Sequence, residues 1–206
     1  ETALRANEAR LGSLHGVSGA IHAMRRELAP TLPAGLILDD MYLPITALFA
    51  GKRVWMARDA IALDSGSRDE AEEFRRKLRT LAGNWQLIAK LPRLLNPFAN
   101  PVWFAFVSHK LSRLLAPWAL LTMLATNIAL APVSARWGLL LLAQAAFHAI
   151  AIAGLGEPAL LRHLPVRMAT TFVRMNAYAA LALFDFLGGR AMHLWQVTPH
   201  SDTSPP

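Results

Sequence analysis

Between residues 69 and 91 apolar side chains recur at spacings of four, three, four and three: Phe74, Leu78, Leu81, Trp85 and Ile88. At 3.6 residues per turn they form one stripe, so the segment predicts an amphipathic helix. Upstream the pattern is shorter in range. Residues 1–11 read as a charged helical stretch, Gly12 to Ala20 as a small-residue segment, and Ile21 to Arg26 as a strand. After a turn around residues 30–35, the pair Asp39-Asp40 leads into a helix that continues to about Ala50 and is ended by Gly51. Pro44 suits the first helical position, which would leave both aspartates in the preceding loop. Lys52 to Met56 and Ala60 to Leu63 read as short strands. Strand, helix and strand in this order predict part of an α/β layer.

Beyond residue 91 the pattern changes. Prolines at 92, 97 and 101 break the chain, and Val102 to Arg113 carries aromatic residues with basic ones at its end, as an interfacial helix does. Leu114 to Val133 and Trp137 to Gly156 are uncharged apolar runs of about the 20 residues a bilayer requires, joined by a very short connection. Met168 to Gly189 is a weaker third run because it contains Arg174 and Asp185, which are costly in lipid unless they face a partner or an interface. The tail after Arg190 reads as disordered.

Composition sharpens this division. Of 206 residues 54% are hydrophobic and 17% charged, more apolar than an ordinary soluble domain. Residues 1–113 hold 27 charged residues and residues 114–206 only 8, so the chain has a polar part followed by a lipid-compatible one. The net charge of +7 comes from basic residues interleaved with apolar ones rather than run in a block, which favours lipid headgroups and a diphosphate substrate over nucleic acid. The absence of cysteine excludes disulfides, thiolate chemistry and Cys-ligated zinc. The chain opens on Glu1 without a signal-peptide pattern, so a fragment or processed chain is expected.

Two groups of residues could carry chemistry. Asp39 and Asp40 could cap the helix, which needs one carboxylate; a carboxylate held near a substrate hydroxyl can instead act as general base. Arg76 and Arg79 fall about 60° apart on the face away from Phe74. They are either a solvated face paired with Glu72 and Glu73 or a bidentate phosphate grip. His109 and Lys110, beside Arg113, read as a headgroup-facing edge, and His148 as an interhelical hydrogen-bond partner. No spacing of His, Asp and Glu matches a metal site.

Together these segments resemble the C-terminal portion of membrane-bound family 2 glycosyltransferases of the exopolysaccharide and cellulose-synthase-like type. Gly19-Ala20 with Arg25-Arg26 is similar to the family's Gly-small segment ending in a basic strand, Leu38-Asp39-Asp40 to its Thr-Glu-Asp motif, and Arg76-Lys77-Leu78-Arg79-Thr80 to its Gln-x-x-Arg-Trp motif. Pro101 to Pro117, with Ser108-His109-Lys110, looks like the approach to the membrane domain. Arg in place of Gln at 76 and Thr in place of Trp at 80 depart from the pattern, the latter favouring single-sugar transfer over polymerisation.

The resemblance implies an α/β fold: the C-terminal half of a GT-A domain over residues 1–91, a linker and interfacial helix over 92–113, transmembrane helices at about 114–133, 137–156 and 168–189, and a tail from 191. It implies Asp40 as the base with Asp39 as its acidic neighbour, Gly19 and Ala20 near the acceptor, and Arg25, Arg76 and Arg79 in substrate binding. The partners would be a nucleotide-sugar donor, a lipid or saccharide acceptor and membrane lipids, with no nucleic acid. A divalent cation, Mg or Mn, would be bound mainly by an absent N-terminal half. The expected place is the inner (plasma) membrane, multi-pass, with the catalytic part cytoplasmic. The alternatives are a noncatalytic membrane subunit of a polysaccharide assembly or export complex, and a lipid-binding anchor.

Overall fold

A computed structural model describes residues 7, 9–10, 12–57, 59–62 and 70–189. From residue 39 on, α-helices follow in the order α1 (Asp39–Phe49), α2 (Glu70–Lys90), α3 (Trp103–Leu130), α4 (Ala135–Gly156) and α5 (Leu164–Leu187). Short 3-10 turns at Arg26–Leu28, Pro92–Leu95 and Pro158–Arg162 punctuate the loops.

The structure is 70% helical, with no strand among the described residues. This corrects the α/β and GT-A expectation: the fold is all-helical. Ile21 to Arg25 is irregular, leading into the first 3-10 turn, and Lys52 to Met56 has no regular structure. The reason is local. A strand is defined by a neighbouring strand that satisfies its backbone groups. Val54 instead meets a side chain: its N–H donates to Ser13 Oγ at 2.6 Å, and the Ser13 hydroxyl donates to its C=O at 3.1 Å. Leu14 N–H adds a backbone bond to Val54 C=O, at 3.1 Å. Leu63 in the second expected strand, most of the first eleven residues and the tail lie outside the described residues.

The core joins the polar part to the helices beyond it. Ile45 of α1, Leu87 of α2, Leu94 of the Pro92–Leu95 turn and Phe106 of α3 are fully buried. The expected stripe on α2 holds, with Leu78 and Leu81 in this core and Phe74, Trp85 and Ile88 packed against it. α5 contributes Ala179 and Ala182, small residues that let α2 approach closely. The Phe74 and Tyr178 rings meet edge to face at 4.8 Å. No residue of α4 belongs to this core.

The interfacial helix is not separate from the first apolar run. Both lie in α3, which passes through a π-helical turn at Val107–Leu111 and continues to Leu130. Among the described residues α3 and α4 are long and apolar enough to cross a membrane. Only 17% of the apolar window of α3 and 11% of that of α4 is buried, where a helix at the centre of a soluble bundle would be covered. α5, the third expected span, falls outside this pair. Its Arg174 donates to Glu70 Oε1 of α2 at 3.3 Å, so the charge in that run faces protein.

Candidate functional site

The site is built around α1, and Pro44 explains its placement. The helix begins at Asp39, with Leu38 in the cap position, so neither aspartate is the N-cap and Pro44 lies inside the helix rather than at its start. A proline at this position has no N–H for the carbonyl four residues back. That carbonyl is Asp40 C=O, and it accepts the Val17 N–H at 3.0 Å. The bond docks the Gly16–Gly19 loop against the first turn of α1. A Cβ on Gly19 would stand 3.7 Å from Asp40 Oδ2, and one on Gly16 would overlap Met41 Sδ.

The N-terminal end of α1 is held from the other side by α2. Gln86 accepts the Ile37 N–H at 2.9 Å and donates to Gly35 C=O at 2.8 Å, fixing the turn in which Gly35 has φ +68°. Gly83 lies where a Cβ would come within 2.6 Å of Leu38 Cγ, so α2 packs directly against the residues that precede the pair. Gly51, with φ +74°, follows the C-terminal end as expected.

Asp40 borders a cavity of about 100 Å³ lined also by His15, Gly16, Thr80, Asn84 and Lys110. Its Oδ1 is buried and has no hydrogen-bond partner, and so is Asn84 Oδ1, while Asn84 Nδ2 donates to Thr80 C=O at 2.7 Å. Two buried acceptors in one cavity are an uncommon arrangement and call for a donor. Burial holds the Asp40 carboxyl above the ordinary carboxylate range, and the Asp39 charge adds to this; Lys110, the Met41 N–H and His22 pull the other way. A carboxylate whose proton affinity is raised is the stronger base, and one held near a hydroxyl can take its proton.

The other expected residues divide. Asp39 is exposed, beside the cavity but not in its wall. Gly19 is next to Asp40, and Ala20 follows it on the exposed loop, its N–H donating to Ser18 Oγ at 3.3 Å. Arg25 is exposed, lies 3.8 Å from Glu27, and borders a separate groove of about 700 Å³ with Lys52 and Trp55. Arg76 is exposed and Arg79 half-buried on α2, and neither lines the Asp40 cavity. α2 contributes Thr80 and Asn84 to it instead.

Sequence reasoning missed three members of the wall: His15, Asn84 and Lys110. Asn84 lies among the buried residues of α2, and a polar residue among apolar ones in an amphipathic stripe was the available signal. Lys110, expected to face headgroups, lies within the π-helical turn of α3 and lines the Asp40 cavity. The neighbouring His109 stacks against His15 with ring centroids 6.3 Å apart and planes 9° from parallel.

Among the described residues no three His, Asp or Glu side chains are grouped to hold a metal ion. The Asp40 cavity offers one carboxylate with the Lys110 ammonium in the same wall, a lining that does not fit a divalent cation. Comparison of the chain with protein-family models, curated proteins and solved structures gave no match.

Proposed function

We propose that this chain carries the acceptor-activating part of an inverting glycosyltransferase that works at a membrane surface. The observation that carries the reading is the buried, unpartnered Oδ1 of Asp40 in a cavity next to a glycine loop. In the proposed reaction an acceptor hydroxyl enters the cavity and Asp40 removes its proton. The oxygen attacks the anomeric carbon of a nucleotide-diphosphate sugar, the anomeric C–O bond breaks, and the diphosphate leaves with the bonding electron pair. The proton remains on Asp40 until solvent takes it. Arg76 and Arg79 would offset charge on the leaving diphosphate. The acceptor is a lipid-linked or saccharide hydroxyl, in keeping with the apolar helices that follow the site.

The test is Asp40→Asn in the full-length native protein, purified in detergent. Loss of a general base lowers turnover about 100- to 10,000-fold, with donor affinity retained. Near-wild-type sugar transfer would remove Asp40 from the mechanism.

The same reading sets an orientation in the inner membrane, from Arg113 before the paired helices and Arg162 and Arg167 after them. The polar part and the loop at 157–167 face the cytoplasm, and the turn at 134–136 faces outward. Cysteine placed at Ser134 should react with an impermeant reagent in intact cells; labelling only after disruption would reverse the assignment.

A further inference from the structure

Asp40 receives charge and polarity from four directions. Its own helix presents Asp39, the preceding loop presents His15 and His22, α2 presents the uncharged Thr80 and Asn84, and α3 presents Lys110. Lys110 is the one group here supplied by a helix of membrane grade, and it sits in the π-helical turn at Val107–Leu111. A π turn inserts one residue into the helical register, a rotation of about 100° for everything that follows. Such turns cost backbone geometry and occur often at functional sites. The turn is anchored on both sides, by fully buried Phe106 before it and nearly fully buried Leu114 shortly after.

We infer that Lys110 is a positioning residue for Asp40: set into the cavity by the π-helical turn, its ammonium is the counter-charge of the carboxylate. The site is therefore complete only when the membrane-proximal end of α3 is docked on α1 and α2. This rests on the proposed role of Asp40 for its catalytic meaning, but the pairing itself can be measured without any reaction. Lys110 supports the base in its ionised form, because burial and Asp39 both favour the protonated one. It takes no proton from the substrate.

The experiment is a titration of the Asp40 carboxyl by 13C NMR in the full chain, held in lipid nanodiscs and labelled at aspartate, with the signal assigned by its loss in Asp40→Asn. In Lys110→Met the midpoint should move to higher pH, and in Lys110→Arg, which keeps the charge, it should return toward wild type. An unchanged midpoint in Lys110→Met overturns the inference, and so does an equal rise in Lys110→Arg, which would mark a packing effect. Lys110→Gln gives a second neutral variant if Lys110→Met loses its helical circular dichroism. In the full-length native protein, Lys110→Met should lower sugar transfer at the acid end of the pH profile by roughly tenfold and leave the alkaline plateau in place. If wild type transfers no sugar at any pH, the glycosyltransferase reading fails while the titration still decides the role of Lys110.

Discussion

The polar part of this chain and the α3–α4 hairpin are both rich in apolar residues, yet they use them in opposite ways. Around α1 and α2 the large side chains point inward: Ile45, Leu87, Leu94 and Phe106 are all at 0% exposure. On α4 they point outward, with Leu139 at 68%, Leu142 at 65% and Ile152 at 64%. In the first region hydrophobic burial orders the chain, because water is the alternative. In the second the side chains are uncovered by protein, and lipid tails would solvate them as well as another leucine would. Directional bonds and small residues must then hold the hairpin. Asn127 Nδ2 donates to Gln144 Oε1 at 2.8 Å between α3 and α4, and Thr170 Oγ1 donates to Ala151 C=O at 3.2 Å between α5 and α4. Gly154 makes room there, since a Cβ on it would overlap Thr170 Oγ1.

The largest expected effect breaks this contrast if it fails. Phe106→Ala empties a fully buried site in the shared core and should cost about 3–5 kcal/mol. Leu142→Ala on the exposed face of α4 should fall within about 0.5 kcal/mol. Both are read from unfolding midpoints of the protein in detergent. Equal losses would mean that α4 is buried against something, and that the hairpin is an ordinary core.

A smaller effect sharpens the second half of the comparison. In a double-mutant cycle of Asn127→Ala and Gln144→Ala the coupling should be about 0.6 to 2 kcal/mol, the range for side-chain hydrogen bonds between helices in a membrane. Zero coupling would leave the hairpin held by packing and its short turn alone.

What sequence could and could not show follows the same division. Long-period patterns survived: the α2 stripe from Phe74 to Ile88, the paired apolar runs and the Gly51 stop are all present, because a helix satisfies its own backbone and needs no distant partner to exist. The strands at 21–26 and 52–56 did not, since alternation alone cannot supply a neighbouring strand, and here Ser13 occupies the flank of Val54. The acidic pair does stand at the head of α1, but Pro44 is not its first residue: it lies inside the helix, where the Val17 N–H takes up the Asp40 carbonyl that a proline leaves free. For the site, adjacency in sequence exposed the Asp39-Asp40 pair, but not that Asp40 turns into a cavity while Asp39 stays exposed. Nor could it bring Lys110 seventy residues back to the pair, because that proximity arises only when α3 packs beside α1 and α2. Arg76 and Arg79, which share a face on the helical projection, stand outside this cavity, where α2 contributes Thr80 and Asn84.

The smallest expected effect has the opposite sign and belongs to the cavity itself. Asp40 is disfavoured as a carboxylate by burial and by Asp39, so the folded chain holds its proton more tightly than the unfolded one does. A group whose proton affinity rises on folding contributes full stability below its unfolded pKa, near 3.8 for this carboxyl, and loses it as pH rises through the higher folded value. At neutral pH the ionised side chain therefore works against the fold. Asp40→Asn, neutral and of nearly the same volume, should raise the unfolding midpoint there slightly, because Lys110 and the Met41 N–H already offset part of the cost. Well below that unfolded value, where Asp40 is protonated in both states, the two proteins should unfold together. The pH dependence separates this from general repacking, which would shift the midpoint equally at every pH. A lower midpoint for Asp40→Asn at neutral pH would mean that Lys110 outweighs burial and that the pair is a net support of the fold. A gain in stability alongside the loss of turnover would instead mark Asp40 as a group kept at the expense of the fold, the expected sign for a carboxylate retained for its chemistry.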